Sequence, residues 1–358
     1  MLTAKQLHKK IAEGVRLLDG ATGSNLMKAG MPRGGSTEKW VLEHPDALTA
    51  LQQAYAQAGS DIIYAPTFQA QPIALAQQGL EKETEQVNAR LVSLSRAACP
   101  DKLIAGNLTT LATYTDSWDP GKFDLLVDNY RRQIVGLLMG DADLLAAETL
   151  LYPQEAEAIF TAAELECSGC AVMFSFTMQS DGSLFSGADA GKVLKELEEA
   201  GAAAVGFNCV AADMMTPYLV SKLRRSVKGP LICKPNAGVP VIGEDNLPHY
   251  PMDPAEFGRI VGECAAMGAT LLGGCCGTTP EYIRALKEAV GETVPPALTV
   301  KEHTVIASRG TALELIKNPV IIGERIVSAK PCPNSTCASP AIISWATMSS
   351  IRKTCHME

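Results

Sequence analysis

The hydrophobic positions in the first 275 residues cluster in short, nearly continuous apolar segments. Strands that helices cover on both faces are apolar at successive positions, whereas half-exposed strands are apolar at alternate ones. The pattern therefore predicts eight buried parallel strands. In chain order, each with a nearby residue number, the segments are VRLLDG (17), SDIIYAP (63), KLIAGN (104), DLLAAET (146), CAVMFSFT (173), AAVGFN (206), PLICKPN (232) and TLLGGCC (272).

Stretches with the apolar spacing of amphipathic helices lie between these segments. Strand and helix alternate at intervals of about 25 to 45 residues, which is typical of a (β/α)8 TIM barrel. We predict an α/β fold in which residues 1–294 form one such barrel, with a doubly wound open sheet as the alternative. The clearest helical stretches are HPDALTALQQAYAQAG, PQEAEAIFTAAEL, DAGKVLKELEEAG, MMTPYLVSKLRRSV and DPAEFGRIVGECAAMG.

The alternation ends after residue 294. Residues 295–326 predict a linker that contains one short apolar segment, NPVIIGERI. Residues 327–358 are rich in Ser, Pro, Thr and Cys and show neither the helical nor the strand period. We therefore predict an irregular, disordered C-terminal tail.

The charge of the chain narrows the class of partner. The sequence has 358 residues, 47% of them hydrophobic, and a net charge of −8. Nucleic acids and anionic membranes bind basic surfaces, so neither is expected as the main partner. No apolar run approaches the roughly 18 residues of a membrane span, and the N-terminal MLTAKQLHKKIAEG predicts an amphipathic helix without a cleavage site. We expect a cytoplasmic protein that binds a small molecule.

Polar residues close the predicted strands, and the active site of a (β/α)8 barrel lies at these carboxyl ends. Three of the eleven cysteines of the chain are among them. Asp19 has a second interpretation as the cap of the turn that follows. The strand-end residues are Asp19, Thr67, Asn107, Glu148, Thr177, Asn208, Cys209, Asn236, Cys275 and Cys276.

The stretch LLGGCCGTTPEY, residues 271–282, holds two adjacent cysteines between glycines. Adjacent side chains of a regular strand point to opposite faces, so both thiols reach one ligand only if the backbone leaves strand geometry. Glycine permits such a turn. We expect Thr279 to cap the next helix, with Pro280 at its first position.

Three thiolates with an open fourth position are typical of a catalytic zinc site, because structural zinc sites have four protein ligands. A substrate thiol bound in that position has a lowered pKa and remains nucleophilic enough to attack an electrophilic methyl group. Cys209, Cys275 and Cys276 are therefore candidate metal ligands and catalytic residues. The alternatives are core packing and, for the two adjacent cysteines, a vicinal disulfide.

The other cysteines suggest no metal site. Cys167 and Cys170 have the spacing of a redox motif but precede a strand, so nothing is expected to lower their pKa and we interpret them as structural. Cys99, Cys233 and Cys264 are also assigned to packing. Cys332, Cys337 and Cys355 match none of the usual zinc spacings and remain unassigned.

Several motifs resemble the zinc-dependent homocysteine S-methyltransferase family, in particular the homocysteine-binding barrel of cobalamin-dependent methionine synthase. The resemblance runs from about residue 10 to 290, with the motifs in the same order and spacing, and GGCCGTTP with the upstream Asn-Cys is its most specific part. The motifs are LLDGATGSNL (17–26), AGSDIIYAPTF (58–68), GFNC (206–209), KPNAGVP (234–240) and GGCCGTTP (273–280).

The resemblance implies a site in which the three cysteines bind zinc and homocysteine sulfur takes the remaining position. It places Asp19 and Glu148 in the amino-acid pocket, with Glu148 receiving the substrate ammonium. The backbone around Gly20, Thr22 and Gly23 is expected to meet the substrate carboxylate. Polar lining is expected from Thr67, Asn208 and Asn236.

The implied reaction is the methylation of homocysteine to methionine. The resemblance favours methylcobalamin on a corrinoid partner protein as the donor, while S-methylmethionine or a betaine-like compound is the alternative. A different class of enzyme is an aldolase-type barrel with a phosphate site, in which Lys234 forms a Schiff base. A non-catalytic protein that binds zinc and a thiol is the third interpretation.

The sequence departs from the family pattern at the rim and near its end. Ala65-Pro66-Thr67-Phe68 stands where the family usually has Thr-Asn-Thr-Phe, and Asn107-Leu108-Thr109-Thr110 stands where it often has a Gly-Pro turn. IIGERI (321–326) resembles the opening of a folate-binding domain, but Val327-Ser328 replaces the Asn-Pro that continues it. The rim departures bear on the exact thiol and on the docking of the methyl donor. The departure after IIGERI suggests a truncated or frame-altered relative, whose methyl donor arrives on another protein or as a free small molecule.

Overall fold

A computed structural model describes residues 1–12, 14–179, 181–213, 216–243, 248–294, 304–308 and 311–315. The chain divides into two compact units, Met1–Val300 and Lys301–Glu358. The first unit contains a parallel eight-stranded sheet, with a helix after each strand. The predicted (β/α)8 barrel is thus confirmed.

The eight sheet strands coincide with the eight apolar segments of the sequence. Two further short strands, β8 (Val241–Ile242) and β9 (Pro248–His249), pair as an antiparallel ribbon in the loop after the seventh sheet strand. The sheet strands are β1 (Arg16–Leu17), β2 (Ile62–Tyr64), β3 (Leu103–Thr109), β4 (Leu144–Leu150), β5 (Val172–Phe176), β6 (Ala204–Ala211), β7 (Leu231–Asn236) and β10 (Leu271–Leu272).

The strand order closes the sheet into a barrel. Neighbours along the sheet are β1-β10-β7-β6-β5-β4-β3-β2, and every pair is parallel. A parallel bridge between Leu18 and Ile62 joins the two edges of the sheet. The carboxyl ends of all eight strands therefore meet at one mouth of the barrel, as predicted.

Twelve α-helices lie among the described residues of the first unit. Five of them begin with proline, whose missing N–H would have no intrahelical partner at the first position: Pro45, Pro72, Pro153, Pro254 and Pro280. The helices are α1 (Ala4–Ile11), α2 (Gly23–Lys28), α3 (Thr37–Glu43), α4 (Pro45–Ala58), α5 (Pro72–Leu75), α6 (Thr84–Ala98), α7 (Phe123–Met139), α8 (Pro153–Cys167), α9 (Ala190–Glu199), α10 (Thr216–Arg224), α11 (Pro254–Ala266) and α12 (Pro280–Val290).

The amino-terminal end of the barrel is closed by α1. Leu7 and Ile11 of this helix belong to the same buried cluster as interior strand residues such as Ile62, Met173 and Leu271. A larger cluster fills the space between the sheet and the surrounding helices. Burial at α1 leaves the carboxyl-terminal mouth as the end at which a ligand can enter.

Three details bear on the sequence analysis. The helix after GGCCGTTP begins at Pro280, and Thr279 occupies its N-cap position, both as predicted, but the Thr279 side chain makes no capping hydrogen bond. Within the segment predicted as linker, Thr304–Ser308 and Thr311–Leu315 form an antiparallel hairpin, β11 and β12. The predicted tail, 327–358, lies outside the described residues, and the predicted domain boundaries stay predictions.

In the described part of the chain, no helix is long and apolar enough to cross a membrane.

Gly206 of β6 allows the close approach of β7. A Cβ atom at this position would lie 2.1 Å from the carbonyl oxygen of Ile232. We predict that Gly206→Ala lowers the free energy of unfolding by about 1–3 kcal/mol or more, because backbone must shift. Gly23→Ala is the control, since its Cβ would meet nothing within 4 Å. Urea unfolding curves that coincide for the two variants would contradict this packing.

Candidate functional site

A cavity of about 860 Å³ lies at the carboxyl-terminal mouth of the barrel. Of the predicted site residues, Thr67, Asn208 and Asn236 are buried and do not line it. Cavities of this size bind small molecules, and a few polar groups directed into the cavity orient the ligand. The predicted residues that line it are Asp19, Gly20, Thr22, Gly23, Glu148, Cys209, Cys275 and Cys276.

Three thiols from two strand ends meet in this cavity. The Sγ atoms of Cys209, Cys275 and Cys276 all lie within 4.8 Å of one another. Cys209 Sγ and Cys276 Sγ are 4.0 Å apart. Tetrahedral zinc with Zn–S bonds of about 2.3 Å separates its sulfur ligands by about 3.8 Å, so the cluster has the dimensions of a metal site. It is the one such group of His, Cys, Asp or Glu found among the residues that the structure describes.

The thiols perturb one another strongly because they lie so close together. Hydrogen bonds from Cys209 and Cys275 lower the pKa of Cys276 to about 3. The same contacts, together with burial, raise the pKa of Cys209 far above its usual value. Like charges at this distance oppose joint ionisation, so the three groups cannot all become thiolates unless a cation neutralises them. The donor set therefore fits a soft divalent metal.

An unusual backbone brings Cys209 into the cluster. Cys209 has φ of 58° and Thr149 has φ of 59°, in the left-handed region that non-glycine residues rarely adopt. The register of β6 shifts between Asn208 and Ala211, and that of β4 shifts between Ala147 and Leu150. Both strands thus leave regular pairing beside the cavity, where strained backbone often marks function.

Asn208 connects these two irregular segments. Its Oδ1 accepts hydrogen bonds from the Thr149 backbone N at 2.8 Å and from Ser175 Oγ at 2.9 Å. Its Nδ2 donates to Thr149 Oγ1 at 2.7 Å and lies 3.7 Å from Cys275 Sγ. Asn208 is fully buried. The side chain therefore orients a cysteine and stabilises the local backbone, whereas the resemblance implied polar lining of the cavity.

The loop that carries the adjacent cysteines is held from both sides. Asn236 Oδ1 accepts a hydrogen bond from the Cys276 backbone N at 3.0 Å. Thr278 Oγ1 donates to the Cys275 carbonyl oxygen at 2.7 Å and accepts from the Ala21 backbone N at 3.1 Å. Gly277 has φ of 80° and packs against the ring of Tyr250. These contacts produce the departure from strand geometry that the two adjacent thiols require.

Two buried carboxylates lie at the other side of the cluster and have different partners. Glu148 Oε2 lies 3.0 Å from Lys234 Nζ, and Glu148 Oε1 accepts from Asn107 Nδ2 at 2.9 Å. Asp19 Oδ2 accepts from the Tyr64 backbone N at 2.8 Å. Asp19 Oδ1 is buried and has no hydrogen-bond partner among the described residues. The cavity thus offers an unpartnered carboxylate oxygen that a ligand can satisfy.

The protonation of these groups follows from burial and their neighbours. Burial raises the pKa of Asp19 to about 7, although the charge of Lys234 and the hydrogen bond from Tyr64 oppose the rise. Burial alone lowers the pKa of Lys234, but Glu148 and the other negative groups outweigh it and hold that pKa well above its ordinary value. Lys234 is therefore a charged ammonium, and its position 4.7 Å from the centre of the Tyr64 ring adds a cation–π contact.

Some predicted site residues lie outside the cavity lining, and some contacts of the site were not predicted from the sequence. Thr67 is buried, and its Oγ1 exchanges hydrogen bonds of 2.9 Å with the backbone of Asn107, so it supports a neighbouring strand. The Lys234–Glu148 pair and the contact of Tyr250 with the cysteine loop were not predicted. Lys234 stands inside the KPNAGVP motif, and a lysine in an otherwise apolar strand was the available signal.

The other cysteines behave largely as expected. Cys99, Cys233 and Cys264 are buried, which fits packing. Cys167 and Cys170 are only partly buried. A hydrogen bond from Cys170 lowers the pKa of Cys167, which corrects the expectation that nothing would do so.

A (β/α)8 barrel that gathers thiols and carboxylates at the carboxyl ends of its strands is the architecture of an enzyme that acts on a small molecule. A family model described as homocysteine S-methyltransferase matches residues 16–290. The chain belongs to this homocysteine S-methyltransferase family.

Individual relatives agree with this assignment. Methionine synthase of Mycobacterium leprae is 27% identical over 347 residues, covering 89% of this chain, and the chain spans only 28% of that relative. The homocysteine methyltransferase MmuM of Escherichia coli, in its oxidized form, is 27% identical with a TM-score of 0.66, covering 76% of this chain and 95% of MmuM. Its metallated form gives a TM-score of 0.65 at 27% identity, with 76% and 96% covered.

The raised pKa of Asp19 predicts a specific pH dependence of stability. Between its ordinary value of 3.8 and about 7, the unfolded chain has lost this proton while the folded protein keeps it. The contribution of Asp19 is therefore complete below about pH 4 and is lost as the pH rises to about 7, by about 4 kcal/mol at most.

We predict that, without homocysteine, the unfolding free energy of the wild type minus that of Asp19→Asn falls from pH 5 to about pH 7 and is level above it. Denaturant unfolding at a series of pH values measures the difference. A difference that does not change with pH would show that Asp19 is ionised in the folded protein throughout.

Proposed function

We propose that this chain transfers a methyl group to the thiol of homocysteine and so forms methionine, with zinc held by Cys209, Cys275 and Cys276. The observation that carries the proposal is the set of three Sγ atoms within 4.8 Å, in a cavity that also contains Asp19 and Glu148. A thiol amino acid has a sulfur and an ammonium group, and the cavity offers a complementary group for each. Family membership supports the same substrate.

Zinc in a site with an open position lowers the pKa of a thiol bound there, which keeps the sulfur nucleophilic near neutral pH. The protein positions the other end of the substrate. The buried carboxylates Asp19 and Glu148 give this part of the cavity the negative charge that attracts the amino group, and the backbone from Gly20 to Gly23, which lines the cavity, lies near the substrate carboxylate. Holding both ends aligns the sulfur with the incoming methyl group.

For the methyl donor we propose methylcobalamin carried by a corrinoid partner protein. The support is the resemblance to the homocysteine-binding barrel of cobalamin-dependent methionine synthase, together with the methionine synthase found among the relatives. The chain spans about a quarter of that relative, so its donor does not transfer directly.

A small cationic donor is the second candidate, and one region of the cavity favours it. At 860 Å³ the cavity has room for more than homocysteine. Glu38, Phe68, Met27 and Met31 line it as well, and Glu38 is buried. A cavity lined by a buried carboxylate and an aromatic ring suits the positive charge of S-methylmethionine or a betaine-like compound.

The two other readings of the sequence fit less well. A Schiff-base lysine requires a lowered pKa, whereas the negative groups around Lys234 hold its pKa above the ordinary value. The ion pair of Lys234 with Glu148 therefore does not favour the aldolase-type barrel. A non-catalytic zinc and thiol protein would share the same cluster, and only turnover separates it from the enzyme.

Removal of one thiol tests the proposal. We predict that Cys276→Ala loses bound zinc and at least about 100-fold in methyl transfer to homocysteine, because two thiols bind the metal far more weakly. Cys167→Ala is the matched control, since Cys167 is also partly buried but lies outside the cluster. Metal analysis, circular dichroism and methionine formation with methylcobalamin and with S-methylmethionine are measured for both. Full activity of the Cys276→Ala variant would exclude the mechanism.

A further inference from the structure

Lys234 is a buried cation that the proposed chemistry does not yet use. It lies on β7, is 3% exposed and lines the same cavity as Asp19, Glu148 and the cysteines. Burial of an unpaired ammonium is costly, so such a group is retained only where it is paired. Its partner is Glu148, with Nζ and Oε2 3.0 Å apart.

The ion pair makes the two carboxylates unequal. One oxygen of Glu148 is held by Lys234 and the other by Asn107. Asp19 has one oxygen bonded to the Tyr64 backbone, and its second oxygen, Oδ1, is buried and unpartnered among the described residues. A buried acceptor without a partner is destabilising, and a ligand that donates to it removes this cost.

The charges point in the same direction. When Asp19 has lost its proton, the two carboxylates and the ammonium of Lys234 carry a single net negative charge. One substrate ammonium neutralises it. Without Lys234 there would be one negative charge in excess, and Glu148 would compete with Asp19 for the substrate.

We propose that Lys234 is a positioning residue, which engages Glu148 in an ion pair and so leaves Asp19 Oδ1 as the atom that accepts the substrate ammonium. This inference rests on the proposed function, because it takes homocysteine as the ligand. It differs from the expectation drawn from the resemblance, in which Glu148 receives the ammonium. Lys234 then acts on the substrate through Glu148.

A double-mutant cycle tests the assignment through binding and does not depend on turnover. Calorimetry of the reduced, zinc-loaded protein gives Kd for homocysteine and for 4-mercaptobutanoate, the same thiol acid without the amino group. Glu148→Gln leaves Lys234 free to compete with the substrate for Asp19. We predict that this variant weakens homocysteine binding about 10- to 100-fold and affects 4-mercaptobutanoate much less.

The decisive variant is Glu148→Gln combined with Lys234→Met. It removes the competing cation and leaves Asp19 intact, so Kd for homocysteine should return to within about threefold of the wild type. Asp19→Asn should weaken homocysteine binding and should not be rescued by Lys234→Met. Lys192→Met is the matched control, because that side chain is 76% exposed, and it should leave Kd unchanged.

The outcomes separate the two levels of the proposal. If the double variant binds homocysteine as weakly as Glu148→Gln alone, Glu148 itself receives the ammonium and the role of Lys234 is refuted. If the wild type does not bind homocysteine, the proposed function fails instead. Thermal unfolding verifies the fold of each variant, and Glu148→Gln with Lys234→Gln, which retains a polar pair, replaces the Met variant if that variant is unfolded.

Discussion

The mutual repulsion of three closely spaced sulfurs is the interaction on which the rest of the site depends. Cys209, Cys275 and Cys276 lie within 4.8 Å of one another, a distance at which thiolates are stable only around a cation. The surrounding structure holds them there despite this cost. Asn208, which precedes Cys209, stabilises the left-handed backbone at Thr149 by accepting a hydrogen bond from its N–H. Asn236 and Thr278 anchor the loop of the other two cysteines. The barrel therefore maintains a preorganised set of thiols with the dimensions of a metal site.

A second constraint is the balance of charge at the amino-acid end of the cavity. Asp19, Glu148 and Lys234 are all nearly inaccessible to solvent, so their charges interact strongly and must almost cancel. The ion pair of Lys234 with Glu148 offsets one negative charge, and Asp19, once it has lost its proton, supplies the one that would match a substrate ammonium. These charged groups and the three cysteines line one cavity.

Much of the fold and part of the site could be predicted from the sequence. The strands were predictable because both faces of the sheet are buried, which leaves continuous apolar runs, and their carboxyl ends located the cysteines and carboxylates. The roles of individual polar residues were not predictable. The left-handed backbone at Thr149 and Cys209 could not be predicted, because neither residue is a glycine. The Lys234–Glu148 pair joins β7 and β4, which are not neighbours in the sheet, so only the closed barrel brings them together.

Zinc-edge X-ray absorption of the purified, reduced protein, with and without homocysteine, tests the central claim most directly. We predict about one zinc per chain with a sulfur shell from three cysteines, and one additional sulfur neighbour after homocysteine is added. That result would establish the cysteine cluster as the metal centre at which the substrate thiol is activated. A protein without zinc, or a sulfur shell that homocysteine does not change, would contradict it.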